Sequence, residues 1–451
     1  MTSREIILEI LLEILEKGSY SHVVLRQALD KYQYLEKQER AFITRVTGGT
    51  VEYCLTIDAI LDHCSQVPVR KMKPVIRTIL RMSVYQLLWM DRVPDRAVCD
   101  EAVKLAVRRH FQGLKGYVNG VLRRIAREKD QYVTAPVPGG PREPKFDDWS
   151  RKYSMPAWIV DLWKEQYPDA VVEGMLKYFL AERPVTVRCS LGLASMEEIV
   201  ESLKAQEVLV TASPFCDGML VLERFDYLEK LDAFRRGWIQ VQDASSGFVG
   251  AVADPAPGDV VLDVCGAPGG KSLHVAELLG GTGQVVVRDL SEAKIRLVQE
   301  NLERAGYANV RTEVWDAREV DPAWCRKADI VLADLPCSGL GVIGRKPDIK
   351  YQASPDKIRE LATLQRQILG AVSQYVKPGG KLVYSTCTVS PEENERQREW
   401  ILSTLPFTSM DLEGKLGPSV QEETLKDGYV QLLPGRYPCD GFFIAAFRRI
   451  G

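Results

Sequence analysis

Residues 260–272 read VVLDVCGAPGGKS: an apolar, β-branched run, a glycine-rich turn, then the start of a helical pattern. Buried apolar strands of this kind belong to parallel sheets covered by helices. A glycine-rich turn between such a strand and a helix marks the ligand side of a doubly wound α/β fold. Gly266, Gly269 and Gly270 allow close backbone approach, and Pro268 stiffens the turn. The spacing is neither G-x-G-x-x-G nor G-x-x-x-x-G-K-[ST], so no phosphate cradle for a dinucleotide or a nucleoside triphosphate is indicated. Four runs of the same kind follow: QVVVRD (284–289), VRTEVWD (310–316), ADIVLAD (328–334) and GKLVYST (380–386), with the helical pattern EAKIRLVQENLERAG between the first two. The alternation predicts a doubly wound sheet over residues 236–451, with its binding crevice at the carboxyl ends of the strands.

An aspartate closes each of the next three strands: Asp289, Asp316 and Asp334. Carboxylates lining one crevice accept hydrogen bonds from ribose hydroxyls, an adenine amine and an α-ammonium group, and they repel phosphate. S-adenosylmethionine carries those donors and no phosphate. Any one of the three could instead cap the helix that follows it, and a glycine-rich loop can be simply a turn. The three acids together favour this cofactor.

Two cysteines sit at the same edge: Cys337 after the fourth strand in LADLPCSGLG (332–341), and Cys387 after the fifth in VYSTCTVSPEENE (383–395). Burial in a core is the commonest fate of cysteine, but Pro336, Ser338, Gly339, Thr386 and Thr388 are not core surroundings. A methylation needs a thiol when the accepting carbon is not itself nucleophilic, as at C5 of a pyrimidine. A thiolate adding at C6 makes C5 enamine-like and able to take a methyl group; loss of the C5 proton and β-elimination then free the enzyme. The attacking thiol needs a depressed pKa or a nearby base. Proton removal or help in expulsion suits the second thiol, and a hydrogen bond at cytosine N3 gives Asp334 a further task.

At 451 residues the chain exceeds one ordinary domain. Its 45% hydrophobic and 27% charged residues place it with globular proteins and against disorder. Residues 1–128 show helical periodicity, so 1–130 is expected to be an all-α domain, 131–150 a Pro- and Gly-rich linker, and 151–235 a small α+β subdomain. No run reaches the ~18 apolar residues of a membrane span. The ten cysteines include no C-x-x-C pair, so no metal site is expected; without an export signal the thiols stay reduced, which points to the cytoplasm. The net charge of −2 divides into +6 over residues 1–130 and −8 over the rest. RKMKPVIRTILR (70–81) and the span from Lys104 to Arg127 contain bases and no acid. These are either solvated helix faces or a surface for a phosphate backbone.

DVCGAPGGKS, ADLPCSGLGVIGRKPDIKY and YSTCTVSPEENE resemble motifs of the RNA cytosine-C5 methyltransferases, the group that includes the bacterial RsmB (Sun, Fmu) enzymes. GWIQVQDASSG is similar to the family's lead-in to the methyltransferase domain, and ERAFITRVTGGTV, ILRMSVYQLLW, DEAVKLA and YVNGVLRRI resemble the antitermination factor NusB. The resemblance implies a multidomain chain: an all-α NusB-like RNA-binding domain, the α+β subdomain and a C-terminal Rossmann-like methyltransferase domain. It implies Cys387 as nucleophile and Cys337 as the cysteine that assists release. It implies Cys265, Gly266, Ala267, Pro268, Gly269, Gly270 and Lys271, with Asp289, Asp316 and Asp334, as binders of S-adenosylmethionine. The substrate it implies is a cytosine of 16S rRNA, free or in a small-subunit assembly intermediate, acted on by a monomer without membrane or metal. A tRNA substrate, or an RNA-binding assembly or antitermination factor with a vestigial methyltransferase domain, are the competing readings. Gly266 and Leu335 stand where the family commonly has alanine, Gly344 where it has the first of two arginines, and Ser190 where asparagine is usual. Arg345 and Lys350 are expected RNA contacts, or parts of a solvated loop.

Overall fold

A computed structural model describes residues 1–134 and 142–451, so positions 135–141 of the expected linker lie outside the described residues. The described chain forms two compact units: Met1–Ala181 with Ile343–Ala353, and Glu182–Val342 with Ser354–Gly451.

The first unit is helical. Its centre is the helix Pro74–Trp89, with Pro at its start, where the missing N–H goes unused. Twelve of that helix's sixteen residues are buried, so neighbours must cover it on all sides. Ser3–Leu15, Lys37–Glu52, Asp95–Arg108 and Lys115–Tyr132 do so. Lys115–Tyr132 turns in Val118, Val121, Leu122 and Ile125, a stripe at helical spacing, and leaves its bases outward. The helices Trp149–Lys152, Ala157–Lys164 and Asp169–Leu180 belong to this unit as well.

The eleven residues 343–353 also belong here, although they lie in the middle of the methyltransferase sequence. Lys350 Nζ donates to Glu52 O at 2.7 Å, Tyr351 Oη to Val51 O at 2.8 Å, and the Ser21 backbone N–H to the Asp348 carboxylate at 3.1 Å. Lys350 is 2% exposed, which corrects its reading as an RNA contact: its donor is spent on a helix-terminal carbonyl inside the unit. The basic stretches are likewise partly neutralised. Arg77 pairs with Glu16, Arg81 with Asp58 and Arg124 with Glu128. Arg70, Lys71, Lys73, Lys115, Arg123 and Arg127 are exposed and make no ion pair among the described residues.

The second unit begins with a four-stranded antiparallel sheet: β1 (Val185–Cys189), β2 (Leu209–Ala212), β3 (Met219–Glu223) and β4 (Ile239–Val241), in the order β2-β3-β1-β4. The large sheet follows with β5 (Val260–Asp263), β6 (Gln284–Asp289), β7 (Val310–Val314), β8 (Ala328–Asp334), β9 (Val376–Thr386), β10 (Phe407–Ser409), β11 (Tyr429–Leu432) and β12 (Phe442–Arg449). Its order is β7-β6-β5-β8-β9-β12-β10, with β11 on β12; β5 to β9 run parallel and the last three antiparallel. Val261 and Leu262 point to opposite faces and both are fully buried, which is why β5 reads as an uninterrupted apolar run. The expected multidomain α and α/β architecture holds; the antiparallel β10–β12 extension was not expected. Strand order reverses between β5 and β8, and in an open α/β sheet the ligand crevice opens at that point.

Candidate active site

The loop leaving β5 is tightly held. Gly266 N–H donates to Arg288 O at 2.9 Å, Gly269 N–H to Gly266 O at 2.7 Å, and Asn301 Nδ2 to Pro268 O at 2.7 Å; the Ala267–Pro268 peptide is cis. Gly269 has φ +105°, a conformation that L side chains rarely adopt, and it starts the helix Gly270–Leu278. A Cβ on Gly266 would lie 2.5 Å from Val287 Cγ1 and 2.8 Å from the Asp263 carboxyl carbon.

This loop walls a cleft of about 240 Å³. Cys265, Gly266, Ala267, Pro268, Gly270, Lys271 and Asp334 line it, so most of the expected cofactor residues come together. Asp289 is not on the wall. It braces the loop from behind, its carboxylate accepting from the Ala267 N–H at 3.3 Å and the Leu290 N–H at 2.8 Å. Asp316 stands apart from the cleft, its carboxylate gripped by the Arg318 guanidinium at 2.9 and 3.0 Å, which holds its pKa below the usual range.

Four further polar residues line the cleft that strand-end reasoning missed: Gln242, Asp243, Ser246 and Asp263. The first three sit in the quoted segment GWIQVQDASSG, where the visible signal was an Asp followed by small residues, an N-cap pattern. Asp243 does cap the helix Ala244–Ala253, accepting from the Ser245 N–H at 3.0 Å. Asp263 was hidden because it ends the very strand whose apolar run drew attention. Burial pushes its carboxyl up to about 7, against the hydrogen bond from Ser272, and its Oδ1 is buried with no hydrogen-bond partner. An unpaired buried carboxylate oxygen is an acceptor waiting for a donor, and an α-ammonium group supplies one. These residues fit S-adenosylmethionine.

Lys271 Nζ is 2.6 Å from Asp334, whose other oxygen accepts from Ser385 Oγ at 2.8 Å. Burial alone would lower the Lys271 ammonium, but Asp334 beside it, with Asp263 and Cys387, holds it above its ordinary value, so it stays charged. β8 and β9 are neighbours, and they bring the two thiols together: Cys337 Sγ lies 3.3 Å from Cys387 Sγ. The contact with Cys387, and then burial, raise the Cys337 thiol well above its usual value. Gly341 ties the two cysteine loops together, its N–H donating to Cys387 O at 3.1 Å and its own carbonyl accepting from Gly441 N–H at 2.9 Å.

A switch-point loop that offers carboxylates where nucleotide-binding folds hold phosphate places the chain among the S-adenosylmethionine-dependent methyltransferases. Comparison with known proteins narrows this. The family model "16S rRNA methyltransferase RsmB/F" matches residues 251–448, that of the NusB family residues 1–127, and that of the RsmF/B-like ferredoxin-like domain residues 155–227, which straddles the two compact units. The "probable ribosomal RNA small subunit methyltransferase B" of Bacillus subtilis (strain 168) is 34% identical, covering 99% of either chain. A protein of the same description from Synechocystis is 31% identical over 100% of both. The solved structure of PH0851 is 26% identical and superposes with a TM-score of 0.82, covering 100% of this chain and 99% of that one. The chain belongs to the ribosomal RNA small subunit methyltransferase B family.

Among the described residues no cluster of His, Cys, Asp and Glu could hold a metal ion, and no helix is long and apolar enough to cross a membrane.

Proposed function

We propose that this chain methylates C5 of a cytosine in 16S rRNA through a covalent adduct between Cys387 and C6 of the base. The observation that carries the reading is the thiol pair, 3.3 Å apart on adjacent strand ends, next to the charged Lys271–Asp334 pair and the cofactor cleft. Bound in that cleft, S-adenosylmethionine supplies an electrophilic methyl group. Asp263, Gln242, Asp243 and Ser246 offer polar partners to its donors, and the loop 265–271 brings backbone close to it.

The Cys387 sulfur attacks C6 as a thiolate, and the electron pair of the C5–C6 bond becomes available at C5. Lys271 offers a proton donor to N3 or O2 of the ring and makes C6 more electrophilic. Asp334 offers an acceptor to the exocyclic amine, which uracil lacks. Once C5 carries the methyl group, its proton leaves to a base, the C5–C6 double bond re-forms and the C6–S bond breaks. Cys337, its sulfur 3.3 Å from that of Cys387, donates its proton to the departing Cys387 sulfur. A duplex base hides C6 in the stack, so the target base enters unstacked.

Residues 1–130 act in this reading as the RNA-binding domain, with Arg70, Lys71, Lys73, Lys115, Arg123 and Arg127 as the bases free to meet phosphate. In the same reading residues 151–235 are the α+β subdomain, although its first helices pack in the helical unit, and 236–451, apart from the excursion 343–353, are the catalytic domain. The protein works as a monomer in the cytoplasm, where its ten cysteines, none of them in a disulfide, stay reduced.

The test uses 16S rRNA and methyl-labelled S-adenosylmethionine with wild type, Cys387→Ala and Cys337→Ala. Cys387→Ala is expected to yield neither product nor a denaturant-resistant protein–RNA adduct, and Cys337→Ala to accumulate the adduct. Methylation at C5 by Cys387→Ala would refute the reading.

A further inference from the structure

Two consecutive buried side chains, Glu393 and Asn394, hold the residues on either side of each thiol. Both are fully buried. Glu393 Oε1 accepts from the Ser338 N–H at 2.8 Å and its Oε2 from Ser338 Oγ at 2.5 Å. Oε1 also accepts from Gln365 Nε2 at 3.2 Å, and the same amide donates to Pro336 O at 2.9 Å. Pro336 and Ser338, the two neighbours of Cys337, are thus fixed by one buried Glu–Gln pair. Asn394 does the same for Cys387. Its Oδ1 accepts from Thr386 Oγ1 at 2.6 Å and its Nδ2 donates to Thr388 O at 3.0 Å. A cross-link joins the brackets, Ser338 Oγ to Thr388 Oγ1 at 2.7 Å.

Burying a carboxyl here is unfavourable: burial raises the Glu393 pKa despite the hydrogen bonds from Ser338 and Gln365. An apolar residue would fill the same space without that penalty. What it could not do is accept from both the backbone and the side chain of Ser338. A hydrogen bond at 2.5 to 2.9 Å on each side of a cysteine leaves its Cα little freedom, and a proton passes between sulfurs only while their separation stays near 3.3 Å.

We infer that Glu393 and Asn394 are positioning residues with separate duties, Glu393 setting the Cys337 thiol for release of the adduct and Asn394 setting the Cys387 thiol for attack. The inference rests on the two-thiol reading above. It predicts a split that a merely structural role would not produce. Glu393→Ala leaves adduct formation near wild type and slows release, so the adduct accumulates by about tenfold or more. Asn394→Ala slows adduct and product together by a similar factor and accumulates nothing. Glu393→Gln keeps one acceptor for Ser338 and falls between Glu393→Ala and wild type.

The experiment is single-turnover methylation of 16S rRNA by the full chain, with adduct and released product quantified over time. Affinity for S-adenosylmethionine and thermal unfolding are recorded for each variant. Where an alanine variant does not fold, Ser338→Ala and Thr386→Val each remove one hydroxyl from a bracket and are expected to show the same split. Equal loss of adduct and product in the Glu393 and Asn394 series, or wild-type partition in both, overturns the inference. Cys387→Ala and Cys337→Ala run alongside. If they split as expected and the bracket variants do not, this inference alone fails; if they do not split, the two-thiol reading fails and takes the inference with it.

Discussion

Replacing Lys350 by methionine should make the protein more stable at neutral pH. Lys350 is almost wholly buried in the helical unit, and desolvation moves its ammonium from the ordinary 10.5 to about 8, with Glu52 and Cys54 opposing. The folded pKa lies below the unfolded one, so between about pH 8 and 10.5 the unfolded chain holds a proton that the folded chain has lost. Stability therefore rises with pH through that window. At about 1.4 kcal/mol per pKa unit, the shift lowers stability by about 3 kcal/mol at pH 7 and by about 1 kcal/mol at pH 10. Methionine has a similar length and no charge. It forgoes the bond to Glu52 O, which is worth about 1 kcal/mol and more if the carbonyl is left without a partner. Lys350→Met should thus gain about 1 to 2 kcal/mol at pH 7 and be no better than wild type at pH 10. Urea unfolding of the full chain at both pH values reads the two differences. A variant that is less stable than wild type at pH 7 by an amount that does not change at pH 10 would show that Lys350 is accommodated as a paired charge, and the reasoning would be wrong.

Three other outcomes are expected. The Asp263 carboxyl at about 7 should be ionised by a bound ammonium group. Affinity for S-adenosylmethionine, measured by calorimetry, should then fall by up to about tenfold per pH unit below pH 7, with a proton released on binding; Asp263→Asn should bind weakly and lose this dependence. Gly266→Ala, although alanine is common there in the family, should destabilise this chain by about 1 to 3 kcal/mol, because the new Cβ meets Val287 Cγ1. Val287→Ala should restore part of the loss, read as the thermal midpoint of the double variant. The close thiols should also be vulnerable to peroxide. One equivalent takes two hydrogens from Cys337 and Cys387 to form a disulfide and two waters, with activity lost and then restored by a thiol reductant; peptide mapping that finds the two cysteines oxidised separately would count against it.

The parallel core was legible because β5, β6, β8 and β9 each carry a short apolar run buried on both faces, as in 285–287, 330–333 and 382–384. β10 to β12 were not, since each is stabilised by partners far away in sequence. β12 acquires its register from β9, Phe443 opposite Thr386 and Phe447 opposite Leu382, and nothing local announces that pairing. The thiols could be located because both follow strand ends. The brackets around them could not, because Glu393 and Asn394 sit in a polar run, PEENE, that looks like solvated loop until β9 and the helix Glu395–Thr404 close over it. Asp316 does not line the cleft, and its carboxylate is held by Arg318, two residues on. Lys350 deceived in the opposite sense, as a base within GRKPDIKY that gives its charge to no phosphate.

The excursion of residues 343–353 into the helical unit bears on how the chain is made. A ribosome finishes Ala181 well before it reaches Ile343, and at 5 to 20 residues per second the interval is roughly 10 to 30 seconds. Through that interval the nascent helical unit lacks the segment that caps Val51 O and Glu52 O. The N-terminal unit consequently reaches its final packing only once residue 353 has been made, with β9 to β12 of the second unit still to come, and a fragment ending at residue 130 or 181 would remain permanently in the unfinished state.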